Sequence, residues 1–242
     1  MDAYSKTAIV IPTYNEKDNI KKLIEAIFAI SSDMKIIIVD DNSPDGTGEI
    51  VDALKKKYKN LQIIHRTKKN GRGGACIEGF KSALAEGFEY IFEMDADFSH
   101  DPVDIPRLLN KVRDGYDMVI GSRYVKGSKI VNWGIKRTIF SKFANIYARA
   151  ILWIPIHDYT NGYRCYTKKA MEAMDFDKIE AAGYIVLSEM SYQLHKKGLK
   201  IGEIPITFVN RRRGISNLSR GEIISAFTNV LRLKWDYMWG EK

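Results

Sequence analysis

The sequence predicts one α/β domain built around a mainly parallel sheet with helices on its faces. Short apolar runs alternate with apolar stripes at helical spacing, the rhythm of repeated strand–helix–strand units. Acidic and turn-forming residues follow the apolar runs. The 242 residues, 45% hydrophobic and 28% charged, have the make-up of an ordinary globular domain long enough to bury a substantial core.

Each element has its own signal. Ala8–Ile11 is an apolar run closed by Pro12 and reads as a buried first strand. Ile20, Leu23, Ile24 and Ile27 form a helical stripe, with Asn15 as the expected N-cap. Ile36–Val39 is a second buried strand, ending in the turn-rich Asp40-Asp41-Asn42-Ser43-Pro44-Asp45-Gly46. Ile50, Val51, Leu54 and Tyr58 mark the next helix, Leu61–Ile64 a third strand, and Ile77, Phe80, Ala83 and Leu84 a third helix. Tyr90–Met94 is a fourth strand that delivers Asp95-Ala96-Asp97 at its carboxyl end. A helix through Ile105, Leu108, Leu109 and Val112 leads to a fifth strand at Met118–Ile120.

Beyond Gly121 the rhythm changes. Residues 124–156 are basic and aromatic, with helical spacing at Ile139, Phe143, Ile146, Tyr147 and Ala150. A helix over 184–196, a strand over Ile204–Val209 and a loop at Arg211-Arg212-Arg213-Gly214 follow. Ser219-Arg220-Gly221-Glu222 has the form of a capping box. It opens a last helix with apolar residues at Ile224, Phe227, Leu231, Trp235 and Met238.

Composition excludes several classes. With 18 Gly and 6 Pro the chain is neither collagen-like nor low-complexity. Cys76 and Cys165 make no disulfide framework and no CxxC pair, which points to a reducing compartment. The amino terminus lacks the pattern of a signal peptide, and no apolar run is long enough to span a bilayer. The formal net charge of +8 is localised. Residues 124–156 carry six basic and no acidic side chains, and residues 196–242 carry ten basic and four acidic. That asymmetry suits a polyanion, an anionic membrane surface or a phosphorylated ligand, with a solvated basic face as the plain alternative.

In parallel α/β sheets ligands gather outside the carboxyl ends of the strands. Three expected strand ends carry acids here: Glu16, Asp40/Asp41 and Asp95/Asp97. Like charges so close require a cation or hydrogen-bond donors. Oxygen ligands select Mg²⁺ or Mn²⁺, ions that are typically shared with substrate phosphates. The alternative is that Asp95 and Asp97 only cap the following turn. His100, close behind, either faces the site or stabilises that turn. The glycine-rich Asn70-Gly71-Arg72-Gly73-Gly74-Ala75 follows the third strand rather than the first and lacks the third glycine of a dinucleotide fingerprint. It reads instead as a tight turn or close backbone approach at the nucleotide pocket. There is no P-loop and no Gly-x-Ser-x-Gly elbow.

Several segments together resemble the family 2 glycosyltransferases of GT-A fold, and within them the polyprenol-phosphate (dolichol-phosphate) mannose synthase group. They are Ile11-Pro12-Thr13-Tyr14-Asn15-Glu16, Val39-Asp40-Asp41-Asn42-Ser43-Pro44-Asp45-Gly46-Thr47, Glu93-Met94-Asp95-Ala96-Asp97-Phe98-Ser99-His100-Asp101-Pro102 and Gly121-Ser122-Arg123-Tyr124. Asp158–Tyr166 and Arg211-x-x-Gly214-x-Ser216 complete the set, which spans residues 7–220. The resemblance implies a GT-A nucleotide-diphospho-sugar transferase domain over residues 1–220 and an amphipathic helix over 221–242. It implies that Pro12, Tyr14, Glu16, Val39 and Asp41 hold the nucleoside, expected to be guanosine. Asp95, Ala96 and Asp97 then engage the donor diphosphate and a Mg²⁺ or Mn²⁺ ion, with Ser99 at a further ligand position. Arg123, Arg137 and Arg211 bind phosphates, and Asp97, Arg123 and Arg211 carry catalysis. The chain departs from the pattern where a Lys is usual, which is Asn217 here, leaving either Asn217 or Arg220 to make that contact. Asn161 stands where a smaller residue is usual.

The implied reaction is an inverting transfer of mannose from GDP-mannose to dolichyl or polyprenyl phosphate. The acceptor is already an anion, so no general base is called for. The basic segments and the aromatic residues Trp133, Phe140, Phe143, Trp153, Trp235 and Trp239 suit a membrane surface. The expected location is the cytoplasmic side of the endoplasmic reticulum or, in a prokaryote, the plasma membrane, with an integral partner subunit conceivable. Alternatives are another donor such as UDP-glucose, a polysaccharide acceptor, or a basic nucleic-acid-binding module. The last leaves the acidic strand ends unexplained.

Overall fold

The computed structural model describes residues 2–69, 71–179, 185–210 and 220–239, and within residues 220–226 the backbone only. Its first half follows the expected alternation: β1 (Thr7–Thr13), α1 (Ile20–Ile30), β2 (Lys35–Asp40), α2 (Thr47–Lys55), β3 (Leu61–His65), α3 (Gly71–Ala85), β4 (Tyr90–Glu93), α4 (Ile105–Arg113) and β5 (Met118–Ser122). The second half contains β6 (Lys129–Val131), α5 (Ile135–Leu152), β7 (Arg164–Thr167), α6 (Lys168–Glu172), α7 (Ile185–Lys196), β8 (Ile201–Pro205), β9 (Thr207–Val209) and α8 (Arg220–Met238). The main sheet has the order β3-β2-β1-β4-β7-β5-β8, with β6 and β9 forming a separate pair. All its pairings are parallel except those of β7, which runs antiparallel to both β4 and β5.

Strand periodicity decides which helix packs where. Ile9, Ile11, Ile36 and Ile38 point to one face, onto Leu23 and Ile27 of α1, Val51 of α2 and Leu108 and Val112 of α4. Ala8, Val10, Ile37 and Val39 point to the other, onto Cys76 and Phe80 of α3, Met190 and Leu194 of α7, and Val230 and Leu233 of α8. Because both faces are covered, these strands are apolar throughout instead of alternating, which made them readable as short runs. The last helix is thus part of the core on one side as well as a surface element.

Two local expectations need correction. Asn15 is not the N-cap of α1. Its φ of +61° is left-handed and its N–H donates to Ser43 Oγ, while the helix begins at Ile20 after a turn closed by Ile20 N–H to Glu16 C=O. The single strand expected over Ile204–Val209 is two strands in different sheets. At Ile206 the N–H donates to Ser122 C=O and the C=O accepts from Lys129 N–H, so the backbone changes partners within one residue. β7 carries no local signal in the sequence: Arg164-Cys165-Tyr166-Thr167 has neither an apolar run nor regular alternation. The capping box at Ser219 lies outside the described residues.

Gly79 fixes the approach of α3 to the sheet. A Cβ there would collide with Val10 Cγ1 and stand 3.1 Å from Val39 Cγ2. Both valines are β-branched and fully buried, so neither can yield cheaply. Gly79→Ala should therefore destabilise the fold by about 1–3 kcal/mol despite the better helix propensity of Ala, read as a lower urea midpoint at unchanged slope.

Candidate active site

The parallel strands deliver their carboxyl ends to one edge, and the loops there are stitched together by side chains. From the β1–α1 loop, Asn15 N–H donates to Ser43 Oγ (3.0 Å), Glu16 N–H to Thr47 Oγ1 (2.9 Å) and Lys17 N–H to Asp45 Oδ2 (3.1 Å). Asp40 is buried and accepts from Thr13 Oγ1 and from both the N–H and the hydroxyl of Ser43. Asp41 accepts from Arg66 Nη1 at 2.7 Å and from the Gly71 N–H, the first of α3, at 2.9 Å. Neighbouring aspartates on one strand end thus have separate tasks: Asp40 closes the loop, and Asp41 faces the amino end of α3, where the helix dipole favours negative charge. Tyr14 is exposed, with Lys69 Nζ 3.6 Å above its ring.

The end of β4 holds a second acidic group. Glu93 is buried and accepts from Arg72 Nη1 at 2.5 Å and Tyr166 OH at 3.3 Å. Asp95 accepts from Arg72 Nε at 2.8 Å. Burial and the Glu93 carboxylate push the nearby Cys76 thiol well up, so it stays protonated and inert. Asp97 accepts from Ser99 N–H at 3.0 Å across Phe98, whose φ of +60° is left-handed. His100 is fully buried behind this turn and stacks on Tyr163. Its Nδ1 accepts from Asp95 N–H at 3.0 Å, which places the ring proton on Nε2, donated to Asn161 Oδ1 at 2.8 Å. Asn161 Nδ2 in turn donates to Gly121 C=O. His100 is therefore a brace from the acidic turn to the end of β5, and the extra length of Asn161 is what completes it.

Across the edge lies a cationic group. Arg123, just after β5, donates from Nε (2.8 Å) and Nη2 (2.6 Å) to the two oxygens of Asp158 and also from Nη2 to Thr160 Oγ1 (2.6 Å). Asp158 is fully buried; desolvation raises its pKa, but the Arg123 charge and bonds from Arg123 and Thr160 outweigh this and hold it below the usual carboxylate range. Glu203 secures the same loop by accepting from His157 N–H and Asp158 N–H. The Trp133 ring lies between two guanidinium groups, 5.4 Å from Arg123 and 4.3 Å from Arg137, and Arg137 Nη1 donates to Asn210 Oδ1.

The structure thus brings Tyr14, Glu16, Asp41, Asp95, Asp97, Arg123 and Arg137 to one edge of the sheet. Pro12 is half-buried there. Val39 and Ala96 are buried, and Val39 packs toward α3, so contact with a ligand at Val39 would run through its backbone. Ser99 is buried, whereas Asp95 and Asp97 keep partial exposure. Arg211 and Asn217 lie outside the described residues, as does the side chain of Arg220. Asp158, Arg72 and Asn161 had no assigned role from sequence, although each sits inside a segment singled out there.

Among the described residues no group of three or more acidic, His or Cys side chains could hold a metal ion alone. The donor set is two partly exposed carboxylates. It fits Mg²⁺ or Mn²⁺, ions bound through one or two carboxylates with the remaining ligands from phosphates and water.

The sequence profile of Glycosyl transferase family 2 matches residues 8–174. The chain is 38% identical over 226 residues to the polyprenol monophosphomannose synthase of Mycolicibacterium smegmatis, covering 93% of this chain and 85% of that protein. It is 41% identical over 223 residues to the undecaprenyl-phosphate mannosyltransferase of Micrococcus luteus, covering 92% and 91%. With the dolichol-phosphate mannosyltransferase of Pyrococcus furiosus it shares 37% identity over 96% of this chain and 64% of that one. Its fold is similar to that of glucosyl-3-phosphoglycerate synthase from Mycobacterium tuberculosis, solved with Mn²⁺, uridine diphosphate and phosphoglyceric acid. That likeness has a TM-score of 0.69 at 16% identity, over 96% of this chain and 81% of the other.

Removing Asp158 would leave Arg123 buried without its counter-charge. Asp158→Ala should therefore cost about 3–5 kcal/mol at pH 7. Because the folded pKa lies below the unfolded one, this contribution is present above about pH 4 and lost as pH falls through the folded value. Urea midpoints of variant and wild type should accordingly converge on acidification.

Proposed function

The chain belongs to glycosyl transferase family 2, and from that membership we propose that it transfers mannose from GDP-mannose to a polyprenyl or dolichyl monophosphate. The observation that carries this reading is the similarity, over more than nine-tenths of the chain, to proteins named for making polyprenyl-phosphate mannose. In this reading Pro12, Tyr14, Glu16, Val39 and Asp41 receive the guanosine end, and Asp95, Ala96 and Asp97 the diphosphate. Asp95 and Asp97, with Ser99 at the further position, would hold Mg²⁺ or Mn²⁺, which when bound offsets negative charge on the diphosphate. Arg123, Arg137 and Arg211 receive the phosphates of donor and acceptor, with Asn217 or Arg220 at the acceptor phosphate.

The chemistry follows from these placements. An acceptor phosphate oxygen attacks the anomeric carbon in line; a new C–O bond forms there as the bond to the donor diphosphate breaks, and GDP leaves with the electron pair. The configuration inverts. The nucleophile is already an anion near neutral pH, so no proton has to be removed. The fixed guanidinium groups orient that anion. Arg123, clamped by Asp158, needs little reorganisation to do so.

The acceptor's tail supplies the reason for a second surface. α5 exposes Ile139, Phe143, Ile146 and, just beyond it, Trp153, which is 80% exposed. α8, packed on α5 through Phe227 against Phe143 and Tyr147, exposes Leu231, Trp235, Met238 and, just past its end, Trp239. Lys136, Lys142 and Arg149 are exposed on α5. Trp133 and Phe140, expected in this set, are half-buried in internal contacts. Among the described residues no helix is long and apolar enough to cross a membrane. The apolar face with its basic flank lies flat on the cytoplasmic side of an anionic membrane, and its α5 end begins beside Arg137, where the acceptor phosphate is to sit.

The decisive assay incubates the protein with Mg²⁺, labelled GDP-mannose and a short polyprenyl phosphate, with UDP-glucose as the competing donor; a labelled lipid only from UDP-glucose would replace the donor assigned here. Asp97→Asn should lower turnover by about 100-fold or more while leaving the circular dichroism spectrum unchanged. Trp235→Ser with Trp239→Ser should reduce co-sedimentation with anionic vesicles by roughly tenfold or more, since burying a large apolar side chain contributes about 1.5–3 kcal/mol, while binding of GDP in solution is retained.

A further inference from the structure

We infer that Arg72 is the positioning residue for Asp95, and that the first turn of α3 links the two ends of the donor cleft through adjacent residues. This rests on the donor–metal reading above and assigns a residue to which that reading gives no part.

The guanidinium of Arg72 lies between the end of β4 and the loop that leads into β7. Nη1 donates to Glu93 and Nε to Asp95 Oδ1. Its third nitrogen, Nη2, is buried with no hydrogen-bond partner. A Cβ on Gly162 would collide with this Nη2, and Nη1 stands 3.3 Å from the same point. A donor left unsatisfied in this way is costly, so the side chain is not placed by its own hydrogen-bonding optimum. It is placed by the two carboxylates on one side and by the bare backbone of Gly162 on the other. The glycine is what makes room for it. Held so, the guanidinium is bonded to both carboxylates at once, and Asp95 Oδ1 is oriented with it.

The residue before it makes the second link. Gly71 N–H donates to Asp41 at 2.9 Å. One peptide unit therefore connects the carboxylate expected at the nucleoside end to the carboxylate expected at the diphosphate. The glycine-rich segment, read from sequence as a close backbone approach, serves here to let successive residues of one helical turn address both.

The test reads GDP affinity by calorimetry with and without Mn²⁺. Because removing Arg72 alone would strand the buried Glu93, the first variant is Arg72→Met with Glu93→Gln, compared with Glu93→Gln alone. The gain in GDP affinity on adding Mn²⁺ should fall roughly 10- to 100-fold in the double variant, while metal-free GDP affinity stays within about twofold and Glu93→Gln alone keeps the gain. In an Asp95→Asn background the same change should have no further effect, the mark of action through Asp95. Arg72→Lys, which keeps the charge but not the two-pronged reach, should recover only part of the gain. A full Mn²⁺ gain in either Arg72 variant, with native circular dichroism, overturns the inference and leaves the proposed function standing. A wild-type protein whose GDP affinity ignores Mn²⁺ overturns both.

Discussion

Carboxylates crowded along one edge of a parallel sheet are the constraint on which the rest of this structure depends. Strand direction alone brings Asp40, Asp41, Glu93, Asp95 and Asp97 together, and their mutual repulsion in a partly dry cleft is offset by specific partners. Arg66 and the amino end of α3 answer Asp41, Arg72 answers Glu93 and Asp95, and Arg123 answers Asp158. The Arg123–Asp158 pair is buried and two-pronged, so it holds geometry more than it adds stability. Each pair also ties a loop to the body of the sheet. Electrostatic necessity and the rigidity of the cleft thus have the same origin.

The division of charge across the edge has a functional sense. Under the proposed function the acidic side would take a metal-bound diphosphate, and the side built from Arg123 and Arg137 about Trp133 a second phosphate. The reacting carbon would sit between them, where neither group needs to move far as charge passes to the leaving group. The apolar face of α5 and α8 starts beside the cationic side, so a long-tailed phosphate could keep its chain at an interface while its head enters the cleft.

Much of the fold was legible because the central strands are buried on both faces. Ala8–Ile11 and Ile36–Val39 read as unbroken apolar runs, and acidic residues follow them in the sequence. The missed elements share a different cause. β7 is held by its two neighbours, not by its own composition, and nothing local marks Arg164-Cys165-Tyr166-Thr167 as a strand. The Arg123–Asp158 pair joins residues 35 apart, a tertiary pairing with no short-range pattern. Arg72 was hidden by its neighbours: glycines drew attention to the backbone, while the side chain among them reached across to β4. Asn15 had a capping residue's identity but a left-handed backbone, which only the cross-loop bond to Ser43 explains.

The reversed strand also governs the order in which the molecule can be completed during synthesis. In the sheet order β4 and β5 are not neighbours; β7 stands between them and pairs with both. A nascent chain that has emerged only as far as β5 therefore presents β4 as an open sheet edge and has neither of the strands that pair with β5. That edge is covered only when Arg164–Thr167 has left the ribosome, more than forty residues after β5 ends. Until then, edge-to-edge pairing with other chains competes with native closure, so the interval in which a chaperone is most useful is set by the position of one four-residue strand.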